Sequence, residues 1–266
     1  MALLNVTDLT MQFGGLRALD TFNMNIDAGK IVALIGPNGA GKSTFFNCVN
    51  RIYNPSFGQM NFDGHDLLKY DPHQIIKLGI ARSFQNLELF DNMTVLNNLM
   101  VAQHLKIKPI DTPIFGGVLS FFSDMLSLAP TRKVEKEAVA ESMRILDFLG
   151  IKGIESLFVS ILPYGTRKLV ELARALITKP KLLLLDEPAA GLNNKETKEL
   201  TILLKRIRDE LGITLLVVEH DMGLVMDISE YIYVLSFGKQ ISEGTPKQVQ
   251  NDPAVIEAYL GAEEEE

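Results

Sequence analysis

The chain has 266 residues, of which 47% are hydrophobic and 22% are charged, so its composition predicts a folded protein with a sizeable core and excludes a disordered one. The net charge of −7 argues against a general nucleic-acid binder, and no nucleic-acid partner is expected. The one cysteine, Cys48, excludes an intramolecular disulfide and favours a reducing compartment.

Short apolar segments separated by turn residues make up the first part of the chain. The segments at 3–9, 16–19 and 22–26 are typical of short strands in an antiparallel layer. The first ten residues lack the positively charged and long apolar regions of a secretory signal, so no such signal is predicted.

Three continuous apolar runs are of a different kind. They cover residues 31–36, 182–185 and 213–218. An uninterrupted run of this length is expected of a strand buried on both faces, and helical patterns precede the two later runs. Buried strands that alternate with helices predict a mostly parallel sheet covered by helices.

Helices are predicted in the middle and at the end of the chain. A helical stripe covers 132–149 and stops at a glycine. Thr245 is followed by Pro246 and by Gln248, which is typical of a helix start. Another helix is expected after Asp252, and the glutamate tail that closes the chain is expected to be solvated.

No membrane span is predicted, because the apolar stretch at 114–128 is interrupted by polar residues and falls short of the ~18 apolar residues that a span needs. The pattern instead predicts one domain over 1–266. Within it we expect an α/β core at 1–85 and 166–245, a helical subdomain at 86–165, and C-terminal helices with an acidic tail at 246–266.

The sequence GPNGAGKST follows the first buried run and fits the phosphate-binding loop pattern G-x-x-x-x-G-K-[ST]. Its glycines allow backbone N–H groups to point at a phosphate, Lys42 reaches the β- and γ-phosphates, and the Ser43 hydroxyl can hold Mg²⁺. A helix predicted at 44–50 completes the context that the pattern needs. The residues expected to bind nucleotide are Gly36, Asn38, Gly39, Gly41, Lys42, Ser43 and Thr44.

Charged side chains follow the other two buried runs. Asp186 and Glu187 come after the second run, and His220 follows the third. Because ligands of open α/β sheets bind beyond the carboxyl ends of the strands, Asp186 is expected to orient the shell of a metal ion and Glu187 a water molecule. His220 is expected at the same end of the sheet as Lys42, where it can touch a γ-phosphate.

Two further residues acquire no role from local pattern alone. Gln85 is a polar residue amid apolar neighbours, which is ordinary for a loop. Phe13 precedes the phosphate loop and could stack on a base, but an aromatic residue in a strand is more often part of the core.

Together these motifs resemble the nucleotide-binding subunits of ABC (ATP-binding cassette) transporters over nearly the whole chain. The phosphate loop, Gln85, the carboxylate pair and His220 occur in that family's order and spacing, and LPYGT at 162–166 stands where the family has its signature loop, usually Leu-Ser-Gly-Gly-Gln. DEPAAGLNNKETKEL, EHDMGLVM and NDPAVIEAYLG most resemble ATPases of branched-chain amino-acid uptake systems. The resemblance implies a P-loop NTPase core with a mostly parallel sheet, an N-terminal antiparallel β layer and a helical signature subdomain.

The resemblance also implies the cofactors ATP and Mg²⁺ and roles for single residues. Phe13 would stack on adenine. Gln85 would join Ser43 at Mg²⁺ and would sense the membrane partner. Glu187 would polarise the attacking water, and His220 would contact the γ-phosphate.

The signature-like loop departs from the family's pattern. Such subunits dimerise head to tail, so that this loop caps the ATP bound by a second subunit. Gly165 is kept, but Pro163 replaces serine, Tyr164 replaces glycine and Thr166 replaces glutamine. Pro163 suits a helix start, yet it lacks the hydroxyl that would donate to the γ-phosphate. A hydrogen bond to a charged group contributes about 1.5–3 kcal/mol, so we expect a loop that works but is weakened. Asn193 replaces an aspartate common in the family, which puts a hydrogen bond between subunits in doubt.

The implied protein is the ATPase of an importer on the cytoplasmic face of the plasma (inner) membrane. Its partners would be transmembrane permease subunits, a second ATPase subunit and, indirectly, an extracytoplasmic solute-binding protein. Two alternatives stay open: a soluble ABC ATPase that acts as an assembly or scaffold factor, and the ATPase of a lipopolysaccharide-type exporter. The segment 108–130 is more apolar than a solvated loop requires, which suits either docking on a membrane subunit or a satellite core.

Overall fold

The structure is a computed structural model that describes residues 2–83, 88–103 and 128–263, with the backbone alone at 128–133 and 260–263. Gln85 and most of the segment 108–130 lie outside the described residues. No helix among the described residues is long and apolar enough to cross a membrane.

The chain forms two compact units, Met1–Asn86 with Pro180–Glu266, and Leu87–Lys179. The second unit therefore extends beyond residue 165, where the sequence prediction ended the helical subdomain. The reason is that helix Tyr164–Leu176 packs against helix Val95–Ala102 within that unit.

The first unit contains an antiparallel sheet. Its strands are β1 Ala2–Phe13, β2 Leu16–Asp27, β4 Phe57–Phe62 and β5 His65–Asp66, in the order β2-β1-β4-β5. The predicted antiparallel layer is confirmed, but segments 16–19 and 22–26 belong to one strand. Thr21 interrupts the alternation with a positive φ of 52°, and the β1–β2 register shifts on either side of Leu9, which pairs with Phe22. A bulge of this kind bends a strand without ending it.

A six-stranded sheet follows in the same unit. It contains β3 Ile31–Ile35, β6 Ile80–Ser83, β7 Leu182–Asp186, β8 Thr214–Val218, β9 Tyr231–Ser236 and β10 Lys239–Gly244, in the order β10-β9-β3-β8-β7-β6. All pairs are parallel except β9 with β10. Every residue of β3, β7 and β8 is buried, which confirms the prediction from the three apolar runs.

Nine α-helices lie in the described part of the chain: α1 Lys42–Val49, α2 Pro72–Leu78, α3 Val95–Ala102, α4 Leu128–Phe148, α5 Tyr164–Leu176, α6 Asn194–Leu211, α7 Met222–Ile228, α8 Pro246–Gln250 and α9 Pro253–Glu263. Thr245 and Gln248 form the capping box at the start of α8 that the sequence indicated. Asn193 caps α6 by accepting from the backbone N–H groups of Lys195 and Glu196, both at 3.0 Å.

An aromatic contact holds the helix of the phosphate loop against the antiparallel sheet. Phe45 on α1 is fully buried and meets Phe22 of β2 edge to face, with ring centroids 5.0 Å apart. Aromatic pairs in this geometry contribute beyond the area that they bury. The helix that must present its N-terminus to a ligand is therefore held against the antiparallel sheet.

Candidate functional site

The three buried strands β3, β7 and β8 have their carboxyl ends at the same end of the six-stranded sheet. Leu34 of β3 pairs with Val218 of β8, and Val218 also pairs with Asp186 of β7. The segments that follow these strands begin at Gly36, Glu187 and Glu219. The register of the sheet alone thus brings the phosphate loop, the carboxylates and His220 together at the carboxyl ends of the strands.

The phosphate loop joins β3 to α1 and requires glycine at two close approaches. A Cβ atom on Gly36 would lie 2.1 Å from the carbonyl oxygen of Leu235, and one on Gly41 would lie 2.4 Å from that of Ala18. Both glycines also have positive φ, 152° and 109°. The loop backbone therefore lies directly against β9 and β2, and no larger residue fits at either position.

Lys42 is buried beneath the loop. Its ammonium donates to the carbonyl oxygens of Gly36 at 2.6 Å and Pro37 at 2.9 Å. Burial lowers the pKa of Lys42, while the nearby carboxylates of Glu187 and Asp186 act in the opposite direction. A phosphate held by the loop would give this buried cation an anionic partner.

An open cleft of about 280 Å³ lies beside the loop. It is lined by Leu16, Arg17, Ala18, Asn38, Gly39, Ala40, Gly41, Lys42, Ser43, Thr44, Glu187, His220, Phe237 and Gly238. Most of the predicted loop residues thus meet Glu187 and His220 at one cavity. Phe13 and Asp186 are not among the described residues that line it.

Glu187 and His220 are in direct contact. The Nε2 atom of His220 lies 3.1 Å from Oε1 of Glu187. Glu187 has a positive φ of 47°, a conformation that non-glycine residues seldom adopt, and its N–H donates to the carbonyl oxygen of Val218 at 2.8 Å. Such strain persists only where surrounding structure imposes it and is typical of functional sites.

Asp186 is engaged by a residue that the sequence analysis missed. A guanidinium nitrogen of Arg82 on β6 lies 2.5 Å from Oδ2 of Asp186, and the other terminal nitrogen donates to Oδ1 of Asn47 on α1 at 2.7 Å. The two charged side chains are only 9% and 6% exposed. An arginine within the short strand IARS was the available signal, since arginine is rarely buried unless it is paired.

Replacing Arg82 with alanine is expected to lower the free energy of unfolding by about 3–5 kcal/mol, because the Asp186 carboxylate would stay buried without this partner. Urea denaturation measures the change. The control is Arg144→Ala, which removes an exposed pair with Glu141 and should cost at most about 1 kcal/mol. Equal midpoints and slopes for Arg82→Ala and the wild type would contradict a structural role for the pair.

The aromatic residue predicted to stack on adenine has a protein partner. Phe13, at the end of β1, is 42% exposed and contacts Tyr53 edge to face with centroids 5.2 Å apart. One face of the ring is thus not required by the core. Its stacking on adenine stays a prediction.

The signature-like loop lies in the second unit and opens α5. Pro163 occupies the position before the helix, with φ −56° and ψ 151°, and Gly165 is in the first turn. The carbonyl of Pro163 accepts from the N–H of Arg167 at 3.0 Å, so the proline is compatible with the helix start. The Lys168 ammonium lies over the Tyr164 ring, 5.5 Å from its centroid.

Residues 19–190 match the family model of the ABC transporter, and residues 239–265 match the model of a branched-chain amino acid ATP-binding cassette transporter. The chain belongs to the ABC transporter family. This ABC protein is therefore an ATPase, and both the resemblance seen in its motifs and the expected P-loop NTPase fold are confirmed.

Relatives and solved structures match the ABC protein over almost its whole length. It is 42% identical to the high-affinity branched-chain amino acid transport ATP-binding protein LivG of Escherichia coli K12 and 39% identical to BraF of Pseudomonas aeruginosa, with 97% of this chain and 98% of each relative covered. The crystal structure of the ADP conformation of MJ1267, an ABC-transporter cassette, superposes with a TM-score of 0.80 at 29% identity, covering 98% of this chain and 99% of that one. A dimeric post-hydrolysis structure of the cassette MJ0796 with ADP and Pi gives 0.72 at 25% identity, covering 91% and 98%.

Proposed function

We propose that this ABC protein is the ATP-binding and ATP-hydrolysing subunit of an importer for branched-chain amino acids. The observation that carries the proposal is the meeting of Lys42, Glu187 and His220 at one cleft beside the phosphate loop. The match of residues 239–265 to the branched-chain amino acid model, and the identity to LivG and BraF, support this substrate class.

In the proposed reaction, backbone N–H groups of the phosphate loop and the Lys42 ammonium hold the β- and γ-phosphates of ATP. Glu187 orients the attacking water and accepts its proton. His220 contacts the γ-phosphate and, through its 3.1 Å contact, fixes the carboxylate of Glu187. Phe13 stacks on the adenine ring.

Mg²⁺ is proposed as the second cofactor. No group of three or more His, Cys, Asp or Glu side chains able to hold a metal ion occurs in the described part of the chain. The Ser43 hydroxyl, Gln85 and Asp186 would hold the ion together with the phosphates of ATP, and oxygen donors of this kind are those that Mg²⁺ prefers. The bound ion would neutralise charge on the β- and γ-phosphates.

The proposed assembly contains two ATPase subunits arranged head to tail on the cytoplasmic face of the inner membrane. The dimer of MJ0796 supports a second ATPase subunit, which Gly165 and its neighbours would contact. Permease subunits would form the transmembrane pathway, and an extracytoplasmic solute-binding protein would deliver the amino acid. In this assembly the apolar segment 108–130 is a candidate for contact with the permease, and the alternative is that it forms a satellite core.

Uptake measurements test the proposed function. Cells lacking this chain should lose uptake of labelled leucine, isoleucine or valine. The wild-type gene should restore it, whereas a Glu187→Gln gene expressed at the same level should not. Unchanged uptake in the deleted strain would contradict the importer. An outer-membrane lipopolysaccharide defect would then favour the exporter, and purification from solubilised membranes without an integral membrane partner would favour the scaffold factor.

Replacing Pro163 with serine is expected to strengthen the ATP-dependent dimer. The hydroxyl would supply the missing donor to γ-phosphate, while Gly165 and the start of α5 stay in place. The gain is at most about 1.5–3 kcal/mol, or roughly tenfold to a hundredfold in the dimerisation constant. The measurement compares Glu187→Gln with and without Pro163→Ser by light scattering at saturating ATP. An unchanged constant would mean that this loop does not meet nucleotide in the homodimer, and that a different ATPase subunit supplies the complete signature.

A further inference from the structure

A buried carboxylate lies between the loop that follows β7 and the loop that follows β8. Glu219, which follows β8 directly, is only 3% exposed. Its Oε1 accepts from the backbone N–H of Ala189 at 2.6 Å. Its Oε2 accepts from the backbone N–H of His220 at 2.9 Å and of Asp221 at 3.3 Å.

These hydrogen bonds connect the loops that carry Glu187 and His220. Ala189 is two residues beyond Glu187, on the loop after β7, whereas His220 starts the loop after β8. The N–H of Glu187 donates to the carbonyl oxygen of Val218 at 2.8 Å, so a backbone hydrogen bond joins the two segments where the strands end, and the Glu219 carboxylate joins them further along. The Glu219 carboxylate bridges the two loops, and the Glu187–His220 contact of 3.1 Å is a second side-chain link between them.

The negative charge of Glu219 matters for this bridge. A carboxylate has two acceptor oxygens, so each loop receives one. A glutamine of the same size has one acceptor oxygen and an NH₂ group that would face a backbone N–H donor on one side. Burial makes an unmatched donor costly, so the loop on that side is expected to move.

We propose that Glu219 is a positioning residue for ATP hydrolysis, whose buried carboxylate sets the distance between Glu187 and His220. The inference rests on the proposed roles of those two residues. It differs from a purely structural role in one respect: a bridge that only stabilised the fold would affect nucleotide affinity and turnover together, or neither.

The test measures kcat and KM for ATP in Glu219→Gln and Glu219→Asp, each checked for folding by thermal melting. Glu219→Asp keeps the charge but is too short to reach both loops. We expect kcat to fall about tenfold to a hundredfold, because small displacements of catalytic groups have effects of this size. KM and the affinity for a nonhydrolysable ATP analogue should change less than about threefold. The control is Glu230→Gln. Glu230 is an acidic residue that pairs with Lys30 and Arg208, and it directly precedes β9, at the amino ends of the parallel strands.

A double-variant cycle separates this proposal from the proposed function. If Glu219 acts through His220, Glu219→Gln should reduce kcat less in a His220→Ala background than in the wild type. Multiplicative losses, or a wild-type kcat in a folded Glu219 variant, would overturn the positioning role. A wild-type kcat in His220→Ala would instead contradict the catalytic role of His220. If Glu219→Gln does not fold, the same comparisons made with Glu219→Asp decide the question.

Discussion

Replacing Lys42 with alanine is expected to abolish ATP turnover. Lys42 is the only cation in the phosphate-loop sequence, and its ammonium lies beneath the loop on the carbonyl oxygens of Gly36 and Pro37. In a site of low dielectric, the loss of one such group that stabilises developing charge costs about 10²–10³-fold in kcat. Weaker ATP binding adds to this loss, since hydrogen bonds to charged groups are stronger than neutral ones. A coupled phosphate-release assay and a titration with fluorescent ATP measure the two effects.

The matched control for Lys42→Ala is Lys30→Ala, because Lys30 directly precedes β3, whereas Lys42 starts the helix that follows β3 and its loop. The Lys30 side chain is half-exposed and pairs with Glu230 at the amino ends of the parallel strands, away from the phosphate loop. Its replacement should leave turnover unchanged. Equal melting temperatures for the two variants would show that lost turnover in Lys42→Ala reflects the site and not the fold. Wild-type hydrolysis by a folded Lys42→Ala would contradict the assignment of the nucleotide site.

The strands predicted correctly are those whose own residue pattern indicates how they are buried. β3, β7 and β8 are buried on both faces, and each is a continuous apolar run. The edge strand β6 reads IARS, which lacks this pattern because Arg82 serves an ion pair with a residue far along the chain. β10 reads KQISEG and is half-exposed, so its pairing with β9 decides its structure more than its composition does.

The residues of the candidate site likewise fall into two groups: those that local motifs predict and those that only contacts between distant segments reveal. The phosphate loop, Glu187 and His220 follow from local motifs placed after buried strands, and the cleft gathers them. The Arg82–Asp186 pair and the Glu219 bridge join segments 104 and 30 residues apart, and no local pattern encodes such partners. The fold creates these contacts through the strand order β8-β7-β6, which sequence periodicity alone does not supply.

Replacing Glu187 with glutamine is expected to separate ATP binding from hydrolysis. The amide keeps the size of the side chain but cannot accept a proton from water. General-base catalysis of this kind contributes about 10²–10⁴-fold, so hydrolysis should fall by that factor. ATP affinity should persist, because Lys42 and the loop amides, and not Glu187, hold the phosphates in the proposed complex. Steady-state turnover and equilibrium nucleotide binding, measured on the same preparation, test both halves of this expectation.

The same variant is expected to trap a dimer. Without nucleotide the wild type should be a monomer or a weak dimer, because much of the proposed interface is the nucleotide itself and each subunit carries a net charge of −7. With ATP and Mg²⁺, Glu187→Gln should elute as a larger species in gel filtration, whereas ADP should leave it monomeric. Asp227→Asn, which removes an exposed partner of Lys205 on α6, is the matched carboxylate control and should neither trap a dimer nor slow turnover. A monomeric Glu187→Gln that still turned ATP over would remove Glu187 from its catalytic role. Trapping without loss of turnover would instead place the residue in dimer dissociation, since hydrolysis would no longer limit the lifetime of the closed state.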